Sequence, residues 1–197
     1  MKVLNLVLFA LFWAVVVYII NCLVARRFMT VEFKMAFLYF MTVALIGVFG
    51  EIFLDTTYRS FFGKPLWYYN ILPVHHGFTS SYAVVIWGIL GFYLYLMHDN
   101  LASRWSITKT KHLALIFSIE ALFIEAVVTL SAKVFLGDYL YYYLPSDLWH
   151  VSSFQNIPFY FICGVVILET MKRFRSDPYF FSAMSASLIY VLIFLSA

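Results

Sequence analysis

Residues Gly50–Tyr82, GEIFLDTTYRSFFGKPLWYYNILPVHHGFTSSY, set an acid, two histidines and an aromatic run between two apolar stretches. A second stretch, Ile124–Asn156, IEAVVTLSAKVFLGDYLYYYLPSDLWHVSSFQN, repeats that layout without a gap. Glu51 answers Glu125, Gly63 answers Gly137, Trp67-Tyr68-Tyr69 answers Tyr141-Tyr142-Tyr143, and His76 answers His150, each pair 74 positions apart. His75 has no such counterpart, because Trp149 stands in its place. The two segments, 50–82 and 124–156, read as an internal repeat within a single integral-membrane domain that covers residues 1–197.

Working outward, 64% of the 197 residues are hydrophobic and only 12% charged, where a soluble domain carries roughly a quarter charged. Apolar runs of about 20 residues cross a bilayer, and six are present: Val3–Ala25, Phe33–Asp55, Phe78–Met97, His112–Leu136, Phe154–Met171 and Tyr179–Ser196. The expected fold is therefore all-α, a polytopic membrane protein with six transmembrane helices. Spans 2–3 and 4–5 form two helical hairpins related by a pseudo-twofold axis. The first run follows Lys2 but exceeds the roughly 7–15 residues of a signal-peptide core, so it reads as a retained anchor. Cys22 and Cys163 fall inside spans and read as packing residues.

The charge distribution sets the expected orientation. Arg26, Arg27 and Lys34 lie in the first connection, Arg104, Lys109 and Lys111 in the third, and Lys172, Arg173 and Arg175 in the fifth. Basic loops stay on the cytoplasmic side. Both termini and the 56–77 and 137–153 loops then lie outside the plasma (inner) membrane. The basic residues form short flanks rather than one patch, which argues against a nucleic-acid partner.

At about 100° per residue, Gly47, Glu51 and Asp55 share one face of span 2. A carboxylate inside a span is costly and marks a pathway or site, and the adjacent glycines allow a close helix contact or a small cavity. In span 4, Glu120 and Glu125 are about 140° apart around the helix, so they are expected to face different partners. Glu125 belongs to a small and polar stripe with Ser118, Ala121 and Thr129 and is favoured for the site. Lys133 is expected above it or paired with Asp138. Trp67 and the tyrosines are read mainly as a headgroup-level aromatic belt, while Thr79, Ser80 and Ser81 can cap a helix or donate to a ligand. The candidate ligand-binding residues are Glu51, Glu125, His76, His150, Asp55, Thr79 and Trp67. Near the end of span 5, Glu169 and Arg173 have helix ion-pair spacing, and span 6, with Ser182, Ala183, Ala186 and Ser187, reads as a packing or oligomer face.

Gly50-Glu51, Gly77-Phe78-Thr79-Ser80, Glu125 and the run Ile157-Pro158-Phe159-Tyr160 to Glu169 resemble the CmpB-like family of small polytopic membrane proteins, over roughly Gly47 to Arg173. That resemblance implies a multi-pass membrane fold and carries a transporter label. The chain is also faintly similar to membrane carotenoid cyclases, but Leu72-Pro73 is followed by Val74-His75-His76 where those enzymes carry an acidic pair, and cyclase activity is not carried over.

Three functions stand open on the sequence. The first is binding or transport of a small solute, cation or proton-coupled ligand through an outward-facing cavity lined by Glu51 and Glu125, whose mutual repulsion positive charge would relieve. The second is an integral-membrane enzyme acting on a lipid or isoprenoid, and the third a structural or assembly subunit. The expected partners are membrane lipids, a small-molecule or ion ligand, and a second copy or a partner membrane subunit. No cofactor is expected, and no tightly held metal, because the histidines lie near the headgroup level without a full ligand set.

Overall fold

A computed structural model describes residues 3–107 and 109–195 of the chain. Lys2 and Ser196, used above, lie outside the described residues. Six helices follow in order: α1 (Val3–Ala25), α2 (Phe33–Phe62), α3 (Ala83–Arg104), α4 (Thr110–Leu136), α5 (Ile157–Phe174) and α6 (Pro178–Tyr190). Four segments are long and apolar enough to cross a membrane: α1, α2, α4, and α5 with its leading turn, Phe154–Phe174. The apolar stretch of α3, Ala83–His98, and that of α6 with the helical turn after it, Pro178–Phe194, are shorter. Large apolar side chains also point outward, as Leu4, Leu11 and Leu23 do on α1 and Phe49 and Phe53 on α2. Exposed apolar surface of that kind is rare on a soluble monomer and fits a membrane protein.

Helix α2 is the central element, packing against α3, α6 and α5, while α4 lies along α5 and α1 along α3. Two glycines end the long helices. Gly63 and Gly137 adopt φ of +72° and +81°, the left-handed C-cap conformation that costs glycine least, and the Gly63 N–H donates to the Arg59 carbonyl. Helix α2 runs seven residues past the expected Asp55, because no breaker precedes Gly63. Helix α3 starts later than expected, since Phe78–Tyr82 is drawn into other structure.

That structure departs from a purely helical fold. Strand β1 (Trp67–Tyr69) pairs antiparallel with β4 (Tyr141–Tyr143), in the register Trp67–Tyr143, Tyr68–Tyr142 and Tyr69–Tyr141. Two flanking bonds extend the ladder, Asn70 N–H to Leu140 O at 3.0 Å and Leu144 N–H to Leu66 O at 2.9 Å. A second pair, β2 (Pro73–Val74) with β3 (Thr79–Ser80), folds the intervening turn back on itself. Aromatic residues favour strands, but three-residue strands are too short to show as alternation in sequence.

The pairing corrects the aromatic-belt reading. Successive strand side chains point to opposite faces, so Tyr68 and Tyr142 are 41% and 36% exposed while Trp67, Tyr69, Tyr141 and Tyr143 are at most 6% exposed. Four of the six rings point down between the helices instead of lying along a membrane surface.

Candidate functional site

Beneath the β1–β4 pair lies a cavity with about 860 Å³ of empty space, its open side included. The sheet supplies its roof through Trp67, Tyr69, Tyr141 and Tyr143. Its walls come from Phe9, Trp13 and Val17 of α1, Trp87 and Tyr93 of α3, Ala121 and Val128 of α4, and Phe159 and Tyr160 of α5. Glu51 of α2 and Glu125 of α4 both line it, and they are the only charged side chains among the lining residues.

Each acid is held by its own set of donors. The Tyr69 hydroxyl and the Trp87 indole N–H donate to Glu51 Oε1 at 2.5 and 2.8 Å, and the Thr79 hydroxyl donates to Oε2 at 2.5 Å. Tyr143 donates to Glu125 Oε1 at 2.6 Å, Ser152 donates to Oε2, and the Asn156 amide donates in turn to the Tyr143 hydroxyl. Burial holds the Tyr69 and Tyr143 hydroxyls well above their ordinary pKa, with the charges of Glu51 and Glu125 adding to it. They act as neutral donors. Both tyrosine-to-glutamate bonds span eighteen residues.

Gly47 explains how Trp87 reaches Glu51. A Cβ at Gly47 would lie 2.0 Å from Trp87 Cδ2, inside any tolerable contact, so the indole lies flat over α2 only because that side chain is missing. The glycine beside the acid serves a close helix contact, one of the two uses expected of it.

The other candidates fall in different places. Thr79 donates directly to Glu51, and Trp67 lines the cavity while its indole N–H donates to the Phe78 carbonyl at 2.8 Å. Asp55 is fully buried but does not line the cavity. Its Oδ1 accepts the Leu66 N–H at 2.5 Å, tying the end of α2 to the start of β1.

His76 and His150 do not converge on the acids, and neither lines the cavity. The His76 ring lies 6.0 Å from that of Phe78. His150 stacks on Tyr142 with centroids 4.5 Å apart, and its Nδ1 is 2.7 Å from the Tyr143 carbonyl. Their recurrence has a backbone cause. His75 and His76 have φ of +51° and +59°, and Trp149 and His150 have +50° and +64°. Both turns use consecutive left-handed residues, a conformation in which histidine is several-fold enriched. Among the described residues, no three His, Cys, Asp or Glu side chains gather closely enough to hold a metal ion.

Two smaller expectations change, and a third, that Glu120 and Glu125 face different partners, is met. Lys133 lies over the Tyr139 ring, 4.9 Å from its centroid, rather than above Glu125 or paired with Asp138. Glu169 pairs with Lys172 at 2.6 Å and accepts from Thr110, because Lys172 lies one turn away on the same surface as Arg173. Glu120 faces away from Glu125, as its angular position requires, and accepts the Tyr93 hydroxyl at 2.7 Å.

Sequence reasoning missed Tyr69 and Tyr143 as partners of the acids, along with Trp87 and Ser152. The first two had a signal, since they occupy matching positions in the two stretches. No family model, curated protein or solved structure matches the chain.

Proposed function

We propose that this chain is a six-span membrane protein that binds a small cationic molecule, an amine with an apolar body, and carries it from an outward-facing cavity lined by Glu51 and Glu125. The single observation behind this reading is the composition of that cavity: two carboxyls, eleven aromatic residues among its 21 lining side chains, and no basic residue. Two acids in one apolar chamber repel each other, and a bound cation or a shared proton relieves that repulsion. Aromatic faces attract ammonium groups, most strongly where water is excluded. A cation with a hydrocarbon body therefore meets complementary chemistry at both of its ends.

The two-hairpin architecture belongs to the same proposal. The β1–β4 ladder is centred on Tyr68–Tyr142, which are themselves matching residues of the two stretches. A twofold axis running through the sheet would produce such a centre, and would relate the Tyr69–Glu51 bond to the Tyr143–Glu125 bond. Parallel repeats about an axis along the membrane normal occur in transporters, with the substrate site at the repeat interface. The basic residues of alternate connections support placing the sheet outside the cytoplasmic membrane.

The same cavity favours a second reading. An acid among apolar aromatic walls can hand a proton to a lipid or isoprenoid, which would make the chain an integral-membrane enzyme.

The test is binding of phenylethylamine against phenylethyl alcohol to protein in lipid nanodiscs, followed by tryptophan emission, since Trp13, Trp67 and Trp87 line the cavity. The amine is expected to bind in a saturable way, the alcohol at least tenfold more weakly, and Glu51→Gln and Glu125→Gln to lose the amine. Equal binding of amine and alcohol, or unchanged binding in both variants, would overturn the cation reading.

A further inference from the structure

Glu120 is an acid of α4 that the outer cavity does not use. It lines a second, separate chamber with Asn21 and Val24 of α1, Met97, Asn100 and Arg104 of α3, and Trp105. This chamber lies at the opposite end of the bundle from the β1–β4 sheet, where α1 ends and α4 begins. Its walls are polar for a span interior. The Asn100 amide donates to Asn21 Oδ1 at 2.9 Å, and Arg104 donates to the Val24 carbonyl. Arg104 is the one other charged side chain in its lining.

A single described residue, Tyr93, lines both chambers. The residue forms part of the wall of the Glu51–Glu125 cavity, and its hydroxyl donates to Glu120 Oε2 at 2.7 Å. Glu120 and Glu125 are about 7.5 Å apart along the helix axis at 1.5 Å per residue and about 140° apart around it, so one helix presents an acid to each chamber. Acids within spans are rare and mark ion and proton pathways.

We propose that Tyr93 and Glu120 form the inner half of a proton path whose outer half is the Glu51–Glu125 cavity. The path rests on the reading of that cavity as the outer site and extends it from binding to proton conduction through the bundle. A proton suits this wall and a larger ion does not, because the two chambers meet at a side chain rather than an open bore. In the transfer, the O–H bond of a protonated outer carboxyl breaks and its proton passes through cavity water to the Tyr93 oxygen. The Tyr93 hydroxyl releases its own proton to a carboxylate oxygen of Glu120. Tyrosine ends as it began, one outer carboxyl becomes a carboxylate, and Glu120 becomes a neutral acid that discharges through the Asn21–Asn100 chamber.

The experiment uses the full chain in proteoliposomes with a trapped pH dye, an imposed potassium diffusion potential, and protein-free vesicles as the baseline. The wild type is expected to pass protons well above baseline, Glu120→Gln to fall to it, and Tyr93→Phe to lose at least tenfold of the flux while unfolding normally in detergent. Glu120→Gln should keep phenylethylamine binding, since Glu120 does not line the outer cavity; that binding reports its fold. Wild-type flux at baseline, or flux in both variants equal to wild type, overturns the proton path. If Glu120→Gln fails to fold, undiminished flux in Tyr93→Phe alone overturns it. Amine binding without proton flux would defeat this inference and leave the binding reading standing, whereas flux without amine binding would do the reverse.

Discussion

Replacing Glu51 by glutamine and by alanine should give opposite outcomes, for reasons visible in its three bonds. Oε1 accepts from Tyr69 and Trp87, and Oε2 accepts from Thr79. In Glu51→Gln the amide oxygen can keep both Oε1 donors. The amide nitrogen donates to the Thr79 oxygen, which turns from donor to acceptor, as a hydroxyl can. All three contacts survive, with only the charge-assisted part lost, so the stability cost should be at most about 1–1.5 kcal/mol. In Glu51→Ala, three buried donors lose their acceptor. At about 1–3 kcal/mol for each stranded group, with some reorientation of the Thr79 hydroxyl, the loss should reach roughly 3–6 kcal/mol. Reversible unfolding in mixed detergent micelles, titrated with a denaturing detergent, measures both values on one scale. The glutamine variant should be folded and unable to bind amine, and the alanine variant should be severely destabilised. An alanine variant within about 1 kcal/mol of wild type, below the cost of even one stranded donor, would refute the bonding account of Glu51.

Other perturbations follow from the same contacts. Gly47→Ala should cost about 1–3 kcal/mol through overpacking, read in the same titration, and should weaken amine binding because the displaced ring is a donor to Glu51. A wild-type-like Gly47→Ala protein would contradict the close approach of Trp87. The double variant Glu51→Gln/Glu125→Gln should lose no more amine binding than either single change, and its stability loss should depart from the sum of the single losses, because neutralising one acid relieves the other; strictly additive losses would count against a shared site. Single cysteines at Lys64 and Asp138, exposed residues next to the two C-cap glycines, should react with an impermeant maleimide from outside intact cells. Reaction only after permeabilisation would invert the proposed orientation. The glycines themselves are poor labelling sites, since a side chain there is strained at positive φ.

Much of the helical frame was legible because long apolar runs carry a strong signal. The runs beginning at Val3, Phe33 and His112 correspond to α1, α2 and α4 within a few residues at most ends. The two small strand pairs were not legible, since each strand is three residues or fewer and its partner in the roof lies 74 positions away. Composition at Trp67-Tyr68-Tyr69 and Tyr141-Tyr142-Tyr143 fits a membrane-interface belt equally well. What separates the two readings is the fate of the backbone N–H and C=O groups, here paired across the ladder, and sequence does not state that.

Matching positions in the two stretches carried two different physical causes, which the sequence presents alike. Glu51 with Glu125 and Tyr69 with Tyr143 match because each tyrosine donates to its own acid. His76 and His150 match because each stands second in a pair of left-handed residues at a turn. Residue type at the neighbouring position helps to separate the cases. The position before each histidine changes from His75, whose ring Nε2 lies 2.6 Å from the Leu192 carbonyl, to the exposed Trp149, as suits a site where backbone conformation rather than one side-chain chemistry is the constraint. The acids and tyrosines keep their chemistry, because a carboxylate in an apolar interior requires a donor and a buried tyrosine hydroxyl requires an acceptor. Ser152 shows the margin allowed. It donates to Glu125 as Thr79 does to Glu51, yet it stands one place earlier than an ungapped match requires, so the required element is a hydroxyl within reach of the second carboxyl oxygen rather than a residue at a fixed position.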